Sequence, residues 1–156
     1  MPRSNAESHE LELLQCGYRY AVSLTHHHAD AEDLAQQAWV NLCRRHGRVA
    51  SRAALFTTIR HLFIDRCRRD RVVAFDSLEE STAEPVNESV DAGVQCDLQQ
   101  LLGELRPGER EVIYLHHVDG HTAEEVGILT SQPRGTVLSL LSRAMKKLRK
   151  AADPRE

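Results

Sequence analysis

A polar stretch in the middle of the sequence, VVAFDSLEESTAEPVNESVDAGVQ, divides the chain and limits what it can fold into. Its Ser, Glu, Pro and Asn residues follow neither a helical nor a strand repeat, which is typical of a flexible linker. A chain of 156 residues is long enough for two small modules of roughly 70 and 55 residues on either side. We therefore predict two domains, residues 1–72 and 97–156, joined by a linker over residues 73–96.

Three segments with helical repeats precede the polar stretch. The first runs from about Glu7 to Thr25, and the second begins at Asp30, whose carboxylate can cap free amides. Gly47 breaks the pattern before a third helix from about Arg52 to Arg71. The residues expected to face the core are Leu11, Leu14, Tyr18 and Val22 in the first helix, Leu34, Ala38 and Leu42 in the second, and Leu55, Ile59, Leu62 and Phe63 in the third.

The part after the polar stretch contains shorter helices. Pro107 suits the first turn of one helix, Gly120 ends it, and Thr122 with Glu125 forms a capping-box pattern for the next. Pro133 marks the start of the last helix. The apolar residues expected in the core are Leu98, Leu101, Leu102, Leu105, Val112, Ile113, Leu115, Val118, Val126, Leu129, Val137, Leu141, Ala144 and Leu148.

Composition supports an all-α fold. Apolar residues make up 41% of the chain but aromatic residues only 4%, whereas strands favour aromatic and β-branched side chains. No stretch approaches the ~18 apolar residues of a membrane span, and the start, MPRSNAESHE, lacks the apolar core of a signal peptide. We expect a cytoplasmic protein without membrane insertion, whose four separated cysteines are reduced, partly buried thiols.

The net charge of −3 hides an uneven distribution of charged residues. Nine arginines and two acids lie between Cys43 and Arg71, and five basic residues without an acid lie between Arg143 and Lys150. The segment from Asp76 to Asp97 holds seven acids and no Lys or Arg. Two basic surfaces on either side of an acidic stretch favour a protein that contacts nucleic acid at two places.

The end of the chain has the order of a helix-turn-helix. TAEEVGILT is followed by the short SQ and by PRGTVLSLLSRAMKKLRK, a longer helix with a basic end. In this motif the second helix enters the major groove, and its first residues meet base edges. Helix pairs with short turns also occur in proteins that do not bind DNA, so this order alone leaves both interpretations open.

Two regions resemble the extracytoplasmic-function (ECF) sigma factors of the sigma-70 family, which are RNA polymerase subunits. GEREVIYLHHVDGHTAEEVGILTSQPRGTVLSLLSRAMKKLRK resembles domain four of these proteins, while DAEDLAQQAWVNLCRR and LFTTIRHLFIDRCRRDR resemble domain two. The likeness covers roughly residues 10–71 and 98–150. It implies that the protein binds core RNA polymerase and promoter DNA, directs promoter recognition and opening, and needs no cofactor or catalytic site. An anti-sigma factor would be a further partner in keeping with it.

The resemblance also implies roles for individual residues. The polar face of the second helix would dock on the clamp coiled coil of the largest polymerase subunit, through Asp33, Gln36, Gln37 and Asn41. The HGRVAS loop and the next helix start would read the unpaired minus-ten strand, through Arg48 and Arg52. The third helix would hold upstream duplex phosphates, through Arg60, His61, Arg66, Arg68 and Arg69. The last helix would bind the minus-thirty-five element, through Arg134, Thr136, Ser139, Arg143, Lys146 and Lys147.

Several positions depart from the family pattern. Leu138 and Leu140 stand where Lys and Arg are common, so two phosphate contacts are lost and either leucine could instead meet a protein partner. Thr130 replaces the usual turn glycine, and Ser131 replaces an apolar residue. Val137 suits both the DNA-facing turn and the apolar stripe, and we favour the stripe. These departures all lie in the part of the chain that the resemblance assigns to the minus-thirty-five element.

Three other interpretations deserve comparison. His26, His27, His28, His116, His117 and His121 suggest a metal site, but consecutive histidines at a helix end point in different directions and no partner lies at zinc-finger spacing. No nucleophile elbow, glycine-rich phosphate loop or HExxH motif supports an enzyme. The stronger rival is a sigma-like decoy or adaptor that binds an anti-sigma factor without directing transcription. The basic helix ends argue against a decoy, because a decoy does not need to hold phosphates.

Overall fold

The computed structural model describes residues 4–76 and 94–153, which form seven α-helices and no strand, so the predicted all-α fold is confirmed. The chain divides into two compact units, Met1–Val86 and Asn87–Glu156. The helices are α1 (Asn5–Thr25), α2 (His28–His46), α3 (Arg52–Asp76), α4 (Val94–Gly103), α5 (Pro107–Ile113), α6 (Ala123–Thr130) and α7 (Arg134–Ala152), with a π-helical turn at Tyr114–Val118 after α5.

Helices occupy both ends of the segment predicted as a linker. Helix α3 continues to Asp76 because neither Gly nor Pro follows Arg71 to break it, and α4 begins at Val94. The rest of the predicted linker, residues 77–93, lies outside the described residues. The predicted third helix ends at about Arg71, which would put the basic RCRRDR segment in its last two turns. Because α3 continues to Asp76, this segment lies before the last turn instead.

The first unit is a three-helix bundle in which α1, α2 and α3 each pack against the other two. The rings of Tyr20 and Phe56 stack at its centre, with centroids 4.4 Å apart. Fully buried apolar side chains of α2 and α3 also belong to the core, among them Ala31, Leu34, Ala38, Leu55 and Ile59. Burial of this shared apolar surface stabilises the bundle, because few of its side chains could be covered by one neighbouring helix alone.

The buried face of α1 differs from the predicted one. Leu11 is 39% exposed, whereas Leu13, Gly17, Tyr20, Ala21 and Leu24 are buried. The sequence LELLQCGYRYAVSL contains two overlapping helical repeats, and a pattern based on large apolar residues alone gives no weight to Gly17. A Cβ atom at Gly17 would lie 2.7 Å from Cδ2 of Leu55, so this glycine allows α1 to approach α3 closely.

Helix α2 begins two residues earlier than predicted. The Nδ1 atom of His27 accepts a hydrogen bond from the Asp30 amide at 3.3 Å, so His27 is the N-cap and Asp30 lies in the first turn. The chain reverses between α1 and α2 at His26, which has a left-handed φ of 50°. Gly47, with a φ of 75°, ends α2 as predicted.

The second unit is built around α7, which packs against α4, α5 and α6. Its core contains Leu105, Val112, Leu115, Val126 and Val137, each at most 3% exposed. Val137 is fully buried, which confirms the preference for the apolar stripe. Val118 and Leu98 were predicted in the core but are 69% and 53% exposed. The π-helical turn explains Val118, because its wider repeat rotates the side chain away from the core face.

Candidate nucleic-acid interface

The connection between α6 and α7 is a tight turn with two backbone requirements. Ser131 has a left-handed φ of 54°, and the amide of Gln132 donates to the carbonyl of Gly127 at 2.9 Å. A Cβ atom at Gly127 would lie 2.7 Å from the Gln132 carbonyl oxygen, so only glycine fits below the turn. The family resemblance indicates that Thr130 replaces the usual turn glycine, but it does not indicate the requirement for glycine at position 127. The Thr130 hydroxyl is buried and donates to the Val126 carbonyl at 2.7 Å.

The capping pattern predicted for α6 forms in part. The hydroxyl of Thr122 accepts a hydrogen bond from the Glu125 amide at 3.2 Å, as expected for an N-cap. The Glu125 carboxylate lies 3.1 Å from Nδ1 of His121, whose Nε2 lies 2.6 Å from Asp119. His121 thus joins the residues before α6 to its first turn.

Helix α7 presents two different faces. Val137, Leu141 and Ala144 are buried, and at ~100° per residue Gly135, Ser139 and Ser142 lie on the opposite, exposed side. Further along this side come the exposed cationic residues Arg143, Lys146 and Lys150. Small side chains at the start of the helix permit close approach of its backbone to another surface, and the cations that follow favour an anionic one.

Helix α7 is strongly basic. The helix contains Arg134, Arg143, Lys146, Lys147, Arg149 and Lys150 and has no acidic residue. Arg134 and Thr136, predicted to meet base edges, are exposed in its first turn, and Ser139 is exposed one turn later. The predicted DNA contacts of α7 are therefore accessible within this unit.

Lys147 makes an internal ion pair. Its Nζ atom lies 2.8 and 3.0 Å from the two carboxylate oxygens of Glu109, which is only 3% exposed. Burial alone raises the pKa of Glu109, but the bonds from Lys147 and from the Arg106 amide outweigh it and lower the pKa below its ordinary value. Lys147 thus anchors α7 to the start of α5, and this role was not visible in the spacing of the sequence.

A second cation of this unit, the buried Arg110, also has a structural role. Its Nη1 atom donates to the Leu105 carbonyl at 2.6 Å, and the residue is 8% exposed. Burial lowers the pKa of Arg110, and the Glu109 carboxylate opposes this shift. The GER segment therefore ties α5 to the carbonyl groups after α4.

In the first unit, α3 carries a ridge of basic residues on its outer side. Arg60, Arg68 and Arg71 follow at helical spacing, with His61 beside them; Arg60 is half-buried and the others are exposed. We call these four residues the α3 ridge. Arg71 was counted among the basic residues of this segment but was not assigned a contact, although its spacing from Arg68 could have indicated one. Arg69 is exposed as well, nearer the flank of the helix.

Arg66 differs from the other arginines of α3. Its guanidinium lies 2.8 Å from Asp33 and 3.7 Å from Asp30, both on α2. This ion pair joins a residue predicted to hold DNA to one predicted to hold polymerase. Arg66 therefore connects α2 with α3. As a surface ion pair, its contact with Asp33 contributes roughly 0–1 kcal/mol to stability.

The polar face of α2 is accessible. Asp33, Gln36 and Gln37 are exposed, and Asn41 is half-buried. Val40 lies on the same face and is 44% exposed, with Arg44 exposed one turn further on. This face of α2 therefore presents accessible hydrogen-bonding groups around one exposed aliphatic side chain.

The loop between α2 and α3 is held at one point by Val49, which is buried. Arg48 is exposed in this loop, and the Ser51 hydroxyl accepts from the Ala54 amide at 3.2 Å to cap α3. The Nη2 atom of Arg52 donates to the Cys16 thiol at 3.4 Å. An open cleft of about 250 Å³ lies between this loop and α1, and Arg52 lines it.

Within residues 4–76 and 94–153, no group of three His, Cys, Asp or Glu residues is arranged to hold a metal ion. Cys16, Cys43 and Cys67 are half-buried free thiols, while the side chain of Cys96 lies outside the described set. Burial, followed by the charge of Asp70, raises the pKa of Cys67. None of the described helices is long and apolar enough to cross a membrane.

Comparison with known families matches each unit separately. Residues 11–72 match the model of Sigma-70 region 2, and residues 97–148 match the model of Sigma-70, region 4. The first range contains the α2 face and almost all of α3. The second contains the turn between α6 and α7 and most of α7.

Curated relatives and a solved structure agree with these matches. The ECF RNA polymerase sigma factor SigE of Mycolicibacterium smegmatis is 30% identical over 144 residues, which cover 85% of this chain and 55% of SigE. The chain thus spans little more than half of the length of SigE. RNA polymerase sigma factor CarQ of Myxococcus xanthus is 29% identical to this chain, and the match covers 76% of this chain and 72% of CarQ. The sigma factor RpoE of Bartonella quintana, solved with the anti-sigma factor NepR, superposes with a TM-score of 0.75 over 99% of this chain and 100% of that one, at 25% identity.

Proposed function

This chain belongs to the ECF group of the sigma-70 family, and we propose that it binds core RNA polymerase and directs promoter recognition and opening in the cytoplasm. The observation that carries this proposal is the form of α7. An acid-free helix with small exposed residues at its start and cations along its length suits the major groove, where base edges and phosphates are reached together.

The minus-thirty-five element is the proposed target of α7. Arg134 can bond a guanine edge at two atoms, and the methyl of Thr136 can contact thymine. Ser139 can bond either kind of base, while Arg143 and Lys146 can neutralise phosphates. Lys147 also faces outward, with 43% of its side chain exposed, but we expect its main contribution to be the ion pair with Glu109.

The upstream duplex next to the minus-ten element is the proposed target of the α3 ridge. Exposed guanidinium groups at helical spacing can follow a phosphate backbone, and each neutralised phosphate releases counterions. Arg48 and Arg52 border the loop and cleft that we assign to the unpaired minus-ten strand. We assign Arg69 to the duplex as well, and Arg66 to the duplex only in so far as its ion pair with Asp33 opens.

Core polymerase is the proposed partner of the α2 face. Asp33, Gln36 and Gln37 supply hydrogen-bonding groups, and Asn41 supplies one more at the edge. The Arg66 ion pair supports this assignment by fixing the Asp33 carboxylate relative to α3. Replacing Gln36 and Gln37 by Ala should weaken core binding, while an equal change at the exposed Glu10 and Glu12 of α1 should not.

An anti-sigma factor is a further proposed partner. The support is the Bartonella RpoE, which was solved with such a factor bound. The same support allows the rival function, a decoy that holds an anti-sigma factor without directing transcription. Helix α7 has six cations and no acidic residue, which favours the sigma function over the decoy, because a decoy does not need to hold phosphates.

Transcription with purified components separates the two functions. Core polymerase, the full chain and sheared genomic DNA from the source organism would be incubated, and the transcript ends sequenced. A sigma factor should give transcripts from a shared promoter motif that core alone does not produce. A decoy would give no such transcripts, and that result would overturn the proposal.

The two DNA assignments are tested by substitution. Replacing Arg68 and Arg71 by Ala should weaken complexes at all promoters alike and lower the slope of log K against log salt by about 0.9 for each lost contact. Replacing Arg134 by Ala should instead change discrimination at one upstream position by about 1–3 kcal/mol. An unchanged salt slope for the first variant, or uniform weakening for the second, would contradict the respective assignment.

A further inference from the structure

Leu138 is an exposed apolar side chain near the start of α7. It is 41% exposed and directly follows Val137, which is fully buried. The residues one turn before and one turn after it on the same side are Arg134 and Ser142, both exposed. Neither of these two neighbours is apolar, and Met145, two turns further along the same stripe, is half-buried.

The charge of the helix identifies what covers this residue. Leu138 lies between Arg134 and Arg143 on a helix with six cations and no acid. An anionic partner complements such a helix, and under the proposed function that partner is the major groove of DNA. A leucine has no charge for a phosphate. It can, however, exclude water from an apolar group on a base edge.

We propose that Leu138 recognises the 5-methyl group of a thymine in the upstream promoter element and makes one position of that element prefer T·A. This inference rests on the proposed function. Thymine is the base that presents a methyl group in the major groove, and aliphatic side chains discriminate it by direct contact. Arg134, one turn earlier on the same stripe, would meet an adjacent base or its phosphate.

The size of the preference follows from the size of the group. Burying one methyl group changes an equilibrium constant by about fourfold. Replacing the contacted thymine by deoxyuridine removes only that methyl group and keeps the base pair. We therefore expect holoenzyme to bind the deoxyuridine promoter about fourfold more weakly than the thymidine promoter.

The experiment uses holoenzyme assembled from core polymerase and the full chain. A promoter found in the transcription test is randomised in its upstream element, bound sequences are selected, and each preferred thymine is then replaced by deoxyuridine. Leu138→Ala is compared with Leu138→Met, which keeps an apolar contact, and with Ile128→Ala as the matched control. Ile128 is 76% exposed on α6, so its truncation removes an exposed aliphatic group elsewhere in the unit.

Four results support the inference together. One thymine position should be sensitive to deoxyuridine in the wild type, in Leu138→Met and in Ile128→Ala, and insensitive in Leu138→Ala. The inference is overturned if Leu138→Ala keeps the same thymine preference and deoxyuridine sensitivity. It is also overturned if Leu138→Ala loses affinity for core polymerase or an anti-sigma factor and not for DNA, which would identify a protein contact. Failure of the wild type to select any sequence would instead refute the proposed function, and this inference with it.

Discussion

The ion pair between Lys147 and Glu109 gives the sharpest prediction about stability. We expect Lys147→Met to destabilise the second unit, because the change removes two hydrogen bonds, one from each oxygen of the buried Glu109 carboxylate. Removing one partner of a fully buried pair costs about 3–5 kcal/mol. Because 43% of the Lys147 side chain is exposed and water can replace it in part, we expect about 2 kcal/mol.

Two measurements localise this loss. For a unit of this size, 2 kcal/mol corresponds to a fall in Tm of about 8–16 °C by circular dichroism. Trp39, the single tryptophan, lies in α2, so tryptophan fluorescence reports the first unit and should not change. Hydrogen exchange should quicken in peptides from α5 and α7. Lys146→Met is the matched control, since Lys146 is an exposed neighbour on the same helix.

The pH dependence of the effect has a definite sign. The pKa of Glu109 is lower in the folded chain than its unfolded value of about 4.3, so the folded state favours the ionised carboxyl. The stabilisation is therefore complete above that value and is lost as the pH falls through the lower folded pKa. The difference between wild type and Lys147→Met should shrink below about pH 4. Equal stability of Lys147→Met and Lys146→Met at pH 7 would refute the reasoning.

Three further predictions concern backbone positions. Ser131→Gly should stabilise the second unit by about 0.5–1 kcal/mol, because it relieves a left-handed φ of 54°, and a lower urea midpoint would contradict this. Gly127→Ala should destabilise it by about 1–3 kcal/mol, since the new Cβ would meet the Gln132 carbonyl, whereas Gly135→Ala, which meets nothing within 4 Å, should not. Gly17→Ala should destabilise the first unit by a similar amount, because the new Cβ would meet the Leu55 side chain. In a double-mutant cycle, adding Leu55→Ala should recover part of this loss. Strictly additive losses would count against the contact.

Helix type and order could be predicted from the sequence because the signals are local. Gly47 and Pro133 stand at helix boundaries, and the stripe of Val137, Leu141 and Ala144 has the helical period. The buried face of α1 could not be chosen from the sequence, because both stripes are apolar and only packing against α2 and α3 selects one of them. The exposure of Val118 depends on a π-helical turn for which the sequence gives no signal that we recognise.

The candidate site was predictable in its charges and not in their pairings. A run of arginines indicates a basic helix, but it does not show that Arg66 turns towards Asp33 on α2. The sequence does not distinguish the adjacent lysines Lys146 and Lys147. The structure does, because Lys147 pairs with Glu109, which lies 38 positions earlier in the chain. Such pairings come from packing between distant segments, which residue spacing within one helix does not encode.

We propose that one chain carries two DNA-binding surfaces that act on different parts of a promoter. Hydroxyl-radical footprints of holoenzyme on a selected promoter distinguish the two surfaces, with Arg68→Ala/Arg71→Ala and Arg143→Ala/Lys146→Ala compared with wild type. We expect the first variant to lose protection beside the minus-ten element and the second to lose it at the minus-thirty-five element. Loss of the same region in both variants, or a wild-type footprint no different from that of core polymerase alone, would contradict it.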